Sequence, residues 1–377
     1  MKKIILINIT GGPIIEEGGL GFTEGGLVHA LFALANLASE YDIKIICPNL
    51  PGNKQKRIIN YRGVTIICLD SSRWIRWMGT GSLSFIKEAY KSIREEKPDI
   101  LIGNGVLVSF LLRFVPEGAF KFGIIHHLYH AWTANGSSKH IVRGVGALER
   151  LVLRLTKLDR IGVVNPMTRN ILVKRGFSHD SIVVVGNGVS IDDYSFSENK
   201  HPHSLIYIGR LTELKRVSSL IEIVSIIKKE IPDIILHIVG DGPKRGEVNR
   251  KIEALGVSDN VAMHGYVSEE EKIGLLASSA IYLSNSCFEG FGIPLVEAMA
   301  TGTVPVVSDL DAHRFIFQGE DVGYLVNCHE DMATRVIDLL TNETRRLQLA
   351  RNGRKLVEEK WTWARVGEKY RELIQAW

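Results

Sequence analysis

Residues 280–309 read AIYLSNSCFEGFGIPLVEAMATGTVPVVSD. Ala280–Ser284 is an apolar, strand-length run, a glycine-bearing loop follows, Pro294 opens a short helix, Gly302 closes it, and a second apolar run leads to Asp309. Strand, loop and helix in this order are the unit of a parallel α/β sheet. The first turn of such a helix has unpaired N–H groups and the positive end of the helix dipole, so the junction attracts an anion, a diphosphate above all. Glu289 and Glu297, with seven residues between them, would repel that anion unless they faced something else, such as sugar hydroxyls. Diphosphate and hydroxyls together make a nucleotide sugar.

Working outward, the same rhythm continues on both sides. Upstream lie strand Ser204–Ile208, helix Ser219–Glu230, strand Ile234–Val239, helix Arg245–Leu255, strand Val261–His264 and helix Glu269–Ala277. The front of the chain has a series of its own, with strands near Ile4–Ile9, Ile43–Cys47, Val64–Leu69, Ile100–Gly103, Phe122–Ile125 and Ile161–Val164. Between the series, GNGVSIDDYSFSENKHPH (186–203) is polar and turn-rich and predicts a linker. The expected fold is therefore α/β, with two Rossmann-like doubly wound domains, 1–188 and 189–358, facing across a cleft, and a last amphipathic segment, 359–377. A chain of 377 residues is long enough for two cores.

Composition bounds the class. At 45% hydrophobic and 23% charged residues the chain reads as globular. No apolar run reaches the roughly 18–20 residues of a membrane span, and KKIILINIT is too short and lacks a cleavage site for a signal peptide, so an intracellular, cytoplasmic protein is expected. Four cysteines without CxxC spacing predict reduced thiols. Residues 1–188 hold 24 Lys and Arg against 14 Asp and Glu, while the remainder holds 22 against 28. A basic front half fits an anionic partner. In the predicted helix 139–157, Arg143, Arg150, Arg154 and Lys157 fall within about 60° at 100° per residue, with Leu148, Leu151, Val152 and Leu155 on the opposite face. Lys87, Lys91 and Arg94 form a similar face, and RWIRWM (73–78) mixes tryptophan with arginine. These features predict peripheral attachment to an anionic membrane; the chemistry of the cleft argues against nucleic acid.

Further candidates sit at predicted strand ends. GRLTELK places Arg210 and Lys215 after the first strand of the second series, where two cations and a helix N-terminus neutralise a diphosphate without a metal. His126 and His127 end the strand Phe122–Ile125; adjacent histidines cannot both turn to one ion, so no metal site is expected there. In GFTEGG, Gly25 and Gly26 precede the predicted helix Leu27–Ser39 and permit close approach of backbone to a ligand.

CFEGFGIPLVEAMATGTVPVV and GRLTELK resemble the signatures of the retaining, family 4 glycosyltransferases of GT-B fold. The resemblance implies transfer of a sugar from a nucleotide diphosphate sugar to a carbohydrate or lipid-linked acceptor, with no metal or other cofactor. It further implies that Arg210 and Lys215 hold the diphosphate, that Glu297 accepts the ribose hydroxyls, and that Glu289 and His126, the catalytic pair, face the donor sugar. Amides of Phe291, Gly292, Ile293 and Leu295 would meet sugar and phosphate oxygens, the Gly26 amide the diphosphate, and the backbone at Val267 the base. It also implies that the last helix crosses back onto the first domain, and that GDGP (240–243) is a structural turn. Asp309-Leu310-Asp311 spells the DxD of metal-dependent GT-A enzymes, but lies where family 4 has a variable loop. Two departures stand out: Phe315 stands near the place, by DAHRFIF (311–317), where the family usually has a glutamate, and Asn165 replaces the usual serine. A nucleotide-sugar epimerase or hydrolase is the alternative on the same fold.

Overall fold

Runs such as Ile4–Ile7 and Leu205–Ile208 are apolar apart from the Tyr207 hydroxyl, as strands covered on both faces require, and each lies between parallel neighbours. The computed structural model describes residues 1–9, 13–16, 19–22, 25–49, 57–69, 83–115, 118–126, 128 and 139–375.

The chain begins β1 (Lys2–Ile7), β2 (Pro13–Glu16), β3 (Gly19–Phe22), α1 (Gly25–Ala35), β4 (Tyr41–Pro48), β5 (Arg57–Tyr61) and β6 (Val64–Leu69). It goes on through α2 (Leu83–Glu96), β7 (Ile100–Asn104), α3 (Val106–Leu111), β8 (Phe120–Ile125), α4 (Lys139–Leu155), β9 (Arg160–Val163), α5 (Pro166–Lys174) and β10 (Ile182–Val184). Then come β11 (His201–Ile208), α6 (Val217–Ile227), β12 (Ile235–Val239), α7 (Arg245–Ala254), β13 (Val261–Gly265), α8 (Glu269–Ser278) and β14 (Ser279–Ser284). The end is α9 (Ile293–Ala300), β15 (Val304–Ser308), α10 (Asp311–Phe317), β16 (Tyr324–Val326), α11 (His329–Thr341), α12 (Glu343–Lys360) and α13 (Trp363–Gln375).

Two compact units result: Met1–Asn187 with Trp363–Trp377, and Gly188–Thr362. The first holds an eight-stranded sheet of order β10-β9-β8-β7-β1-β4-β6-β5, parallel except for β5. The second holds a six-stranded parallel sheet of order β13-β12-β11-β14-β15-β16. In each the chain winds outward, returns to the middle and winds the other way, which leaves a switch point between β1 and β7 and another between β11 and β14. Open α/β sheets bind ligands at the carboxyl ends of the strands at such points. The α/β expectation therefore holds for both halves.

Several details differ from the sequence reading. Residues 186–203 are not a plain linker: Val189 and Tyr194 are buried, Lys200 is buried, and β11 already begins at His201. Phe196 packs so closely on Gly302 that a Cβ there would lie 2.7 Å from its ring. Gly25 and Gly26 form the first turn of α1 rather than a loop before it. α12 runs on to Lys360, past the expected change at 358, and α13 belongs to the first unit, with Trp363 stacked on Phe32 at 5.7 Å. Cys47 and Cys68, 21 residues apart in sequence, face each other on β4 and β6 as free thiols 3.9 Å apart. On α4 the leucine side found opposite the basic stripe is the exposed one: Leu148, Leu151 and Leu155 are exposed, while Glu149 and Leu153 are buried. RWIRWM and His127 lie outside the described residues. No helix among the described residues is long and apolar enough to cross a membrane.

Candidate functional site

The β11–β14 switch point gathers the second unit's candidates. Arg210 follows β11 and is exposed; Lys215 ends a one-turn 3-10 helix, Glu213–Lys215. Glu289 lies on the loop after β14. The Cys287 N–H donates to the Leu214 carbonyl at 2.9 Å, tying the two loops together, and Lys215 Nζ reaches Glu289 Oε1 at 2.5 Å. The cation and the acid are thus brought into contact by loops from neighbouring strands. Tyr207 and Tyr282, on those strands, are held as neutral phenols by burial first and the Glu289 charge second.

GDGP explains why the Arg210 loop has its shape. Gly209 N donates to Val239 O, Leu211 N to Asp241 O and Lys244 N to Leu211 O, at 2.9–3.0 Å. Gly240 has φ of +121°, and a Cβ there would lie 2.2 Å from the Gly209 carbonyl oxygen. Both conditions demand glycine.

The helix α9 starts from Gly292, whose φ of +108° lies in the left-handed region, with Pro294 in the first turn. Among the described residues no hydrogen bond engages the amides of Phe291, Gly292 or Ile293, whereas the Leu295 N–H already donates to the Gly292 carbonyl at 3.1 Å. Three donors at the positive end of a helix are consistent with an anion site. Phe291 and Leu295 are buried in an apolar cluster against which Val267 packs, half-buried, beyond the end of β13.

Glu297, in the body of α9, has partners that the sequence reading missed. Its Oε1 accepts from Tyr194 Oη and from Lys272 Nζ, both at 2.8 Å; Lys272 also reaches Glu269 at 2.6 Å. Burial pulls Lys272 down, but Glu297 and Glu269 outweigh it and hold the ammonium above its ordinary value. Burial, then the Glu297 and Glu269 charges, keep Tyr194 a neutral donor. Both bonds fall on one oxygen, so the carboxylate is oriented with the other turned away from this pair. Lys200 supports the same corner, its Nζ donating to Ala277 O and Thr301 O at 2.9 Å, at the carboxyl ends of α8 and α9. No motif marks these residues: Tyr194 and Lys200 lie in the stretch read as a linker and Lys272 in the predicted helix Glu269–Ala277.

His126 and Gly26 belong to the first unit. His126 follows β8, and its Nε2 lies 2.8 Å from Asn104 Oδ1, while Asn104 Nδ2 donates to Asn8 Oδ1 at 2.8 Å. Asn8 and Asn104 stand at the carboxyl ends of β1 and β7, so this chain lies at the first unit's own switch point. His29 meets His126 edge-on at 5.0 Å. It is buried, bonded to Asn187 and Tyr370, and burial lowers it to about 4, so it stays neutral.

The remaining sequence questions have local answers. Asn165 caps α5, its Oδ1 accepting from Thr168 N at 2.7 Å. Phe315 packs edge-on against Trp361 at 5.1 Å and Phe291 at 6.2 Å. Asp309 and Asp311 are both engaged by Arg314, at 2.6 and 3.4 Å. Among the described residues no group of three or more His, Cys, Asp or Glu is placed to hold a metal ion.

Residues 191–356 match the family described as Glycosyl transferases group 1, and residues 24–193 match Glycosyltransferase Family 4. The MMP alpha-(1->4)-mannosyltransferase of Mycolicibacterium hassiacum is 32% identical over 71% of this chain and 68% of its own length. The poly(ribitol-phosphate) alpha-N-acetylglucosaminyltransferase of Staphylococcus aureus is 25% identical over 76% of this chain, which spans only 57% of that protein. Among solved structures, an Anabaena protein crystallised with UDP and glucose superposes with a TM-score of 0.76 over all of both chains at 13% identity, a likeness of fold. The two matched regions run without a break from residue 24 to residue 356, and with the mannosyltransferase they establish that the chain belongs to the family 4 glycosyltransferases of GT-B fold.

Proposed function

We propose that the protein transfers a sugar, with retention of anomeric configuration, from a nucleotide diphosphate sugar to a carbohydrate or lipid-linked acceptor. The observation that carries this reading is the contact of Lys215 with Glu289 beside the unengaged amides that open α9. Arg210, Lys215 and those amides take the charge that grows on the departing diphosphate, so the reading needs no metal. Glu289 faces the sugar as it turns oxocarbenium-like, where a carboxylate lowers the barrier by opposing positive charge. Glu297, oriented by Lys272 and Tyr194, accepts the ribose hydroxyls. The backbone at Val267 meets the base. The roles of His126, towards the donor sugar, and of Gly26, towards the diphosphate, follow the family resemblance. Relatives named for N-acetylglucosaminyl transfer with poly(ribitol-phosphate) and for alpha-(1->4)-mannosyl transfer support a glycan acceptor. Attachment to an anionic bilayer, suggested by the basic first half, completes the reading.

The test is transfer by Glu289→Gln, followed as product formed and as nucleotide released with no acceptor. Transfer is expected to fall about 100-fold or more with nucleotide affinity within a few-fold of wild type, in line with loss of an electrostatic group acting on the transition state. Unchanged turnover overturns the assignment of Glu289. Fast nucleotide release by the wild type without acceptor overturns transfer in favour of hydrolysis.

A further inference from the structure

Helix α4 is set into the first unit the wrong way round for a face that meets water. Its inward side carries Leu153 and also a carboxylate: Glu149 pairs with Arg175 of α5 at 3.1 Å, the two side chains only 3% and 11% exposed. Its outward side carries Leu148, Leu151 and Leu155, which are 61%, 54% and 40% exposed. At 100° per residue these three leucines fall within about 60°, and exposed Arg150 and Arg154 lie about 110° round the helix from them. Turning the helix to bury the leucines would pull Glu149 from Arg175 and strand both charges. The outward setting is therefore fixed by the fold.

The stripe does not end with the helix. Arg113 Nη1 donates to the Leu155 carbonyl at 2.6 Å, and the next residue, Phe114, is 57% exposed, with its ring edge-on to Phe110 at 5.6 Å. Lys157, just beyond α4, is exposed as well. Exposed leucines and a phenylalanine bordered by arginine and lysine, on a unit rich in positive charge, complement a surface that is apolar inside and anionic at its rim. We propose that the outward face of α4, together with Phe114, docks on an anionic lipid bilayer, the leucines entering the acyl boundary and the arginines staying among the headgroups. Long basic side chains reach headgroups while their stems lie along apolar surface. The proposal rests on the bilayer attachment included in the proposed function, and gives that attachment a place and an orientation.

The experiment is flotation of the full chain with vesicles of phosphatidylcholine alone and of phosphatidylcholine mixed with phosphatidylglycerol. The wild type is expected to float only with the anionic vesicles. Leu148→Gln with Leu151→Gln and Leu155→Gln is expected to lower the bound fraction about 100-fold, from the loss of apolar insertion. Arg150→Gln with Arg154→Gln lowers binding about 25-fold, near fivefold for each charge, and serves as the second variant should the leucine variant unfold. The proposal is overturned if the wild type does not float, if it floats equally with neutral vesicles, or if neither variant lowers binding. It is also overturned if sedimentation shows a dimer that the leucine variant dissolves, since a second copy would then cover the face. Transfer to a soluble acceptor is measured in parallel: its retention by the leucine variant separates failure of this surface from failure of the proposed reaction.

Discussion

Lys272→Met tests whether the acid at the heart of the second unit is held by the partners seen here. The substitution keeps the stem of the side chain and deletes its charge. Glu297, whose side chain is 8% exposed, would keep the Tyr194 hydroxyl and lose the cation at 2.8 Å. Removing one partner of a buried pair costs about 3–5 kcal/mol; the second partner, Glu269, is 67% exposed and adds little, so about 3 kcal/mol is expected. For a unit of this size that lowers the melting temperature by roughly 6–12 °C. The Lys272 contribution is full below its ordinary value of 10.5 and is lost only as pH rises through the higher value of the folded state, so the deficit should be constant from pH 6 to 9. Thermal unfolding of the full chain reads it. Adding Glu297→Gln should restore most of the loss, because an amide needs no counter-charge. A fall of less than about 1 kcal/mol, or a Glu297→Gln effect equal in both backgrounds, would refute the coupling.

Two further substitutions probe the frame. The folded chain holds His29 near 4 and the unfolded chain near 6.5, so the unfolded state binds a proton first as pH falls; stability is full above about 6.5 and drains towards 4, by about 3 kcal/mol. Thermal unfolding at pH 7 and pH 4.5 should show this loss in the wild type and not in His29→Gln, and equal losses would contradict it. Gly240→Ala forces a side chain onto the Gly209 carbonyl at a positive φ and should cost about 3 kcal/mol, seen as a lower melting temperature; an unchanged one would show that the loop yields freely.

The parallel sheets were legible because fully covered strands write apolar runs that need no partner to be recognised, as in Ile4–Ile7 and Ala280–Ser284. Glu289, Lys215 and the opening of α9 were legible for a related reason: glycine, proline and charge at fixed spacing mark where a strand yields to a helix. β5 was not, because an antiparallel edge strand of half-exposed residues alternates too weakly to stand out. The facing of α4 could not be read from periodicity. The pattern gives which residues share a side, but a single long-range pair, Glu149 with Arg175, decides which side turns inward. Tyr194, Lys200 and Lys272 were hidden for the same reason, since the bonds that tie them to Glu297 and Thr301 span 25 to 103 residues of chain.

The proposed transfer depends on a diphosphate grip made by two cations and the amides of α9. Titration calorimetry of UDP, GDP and ADP into the full chain in EDTA tests it most directly, with the wild type set against Arg210→Ala and Lys215→Ala. At least one nucleotide should bind without divalent metal, and each substitution should weaken it about 10- to 100-fold, the worth of a hydrogen bond to a charged group. Binding that requires a metal, or an affinity that neither substitution changes, would contradict the account.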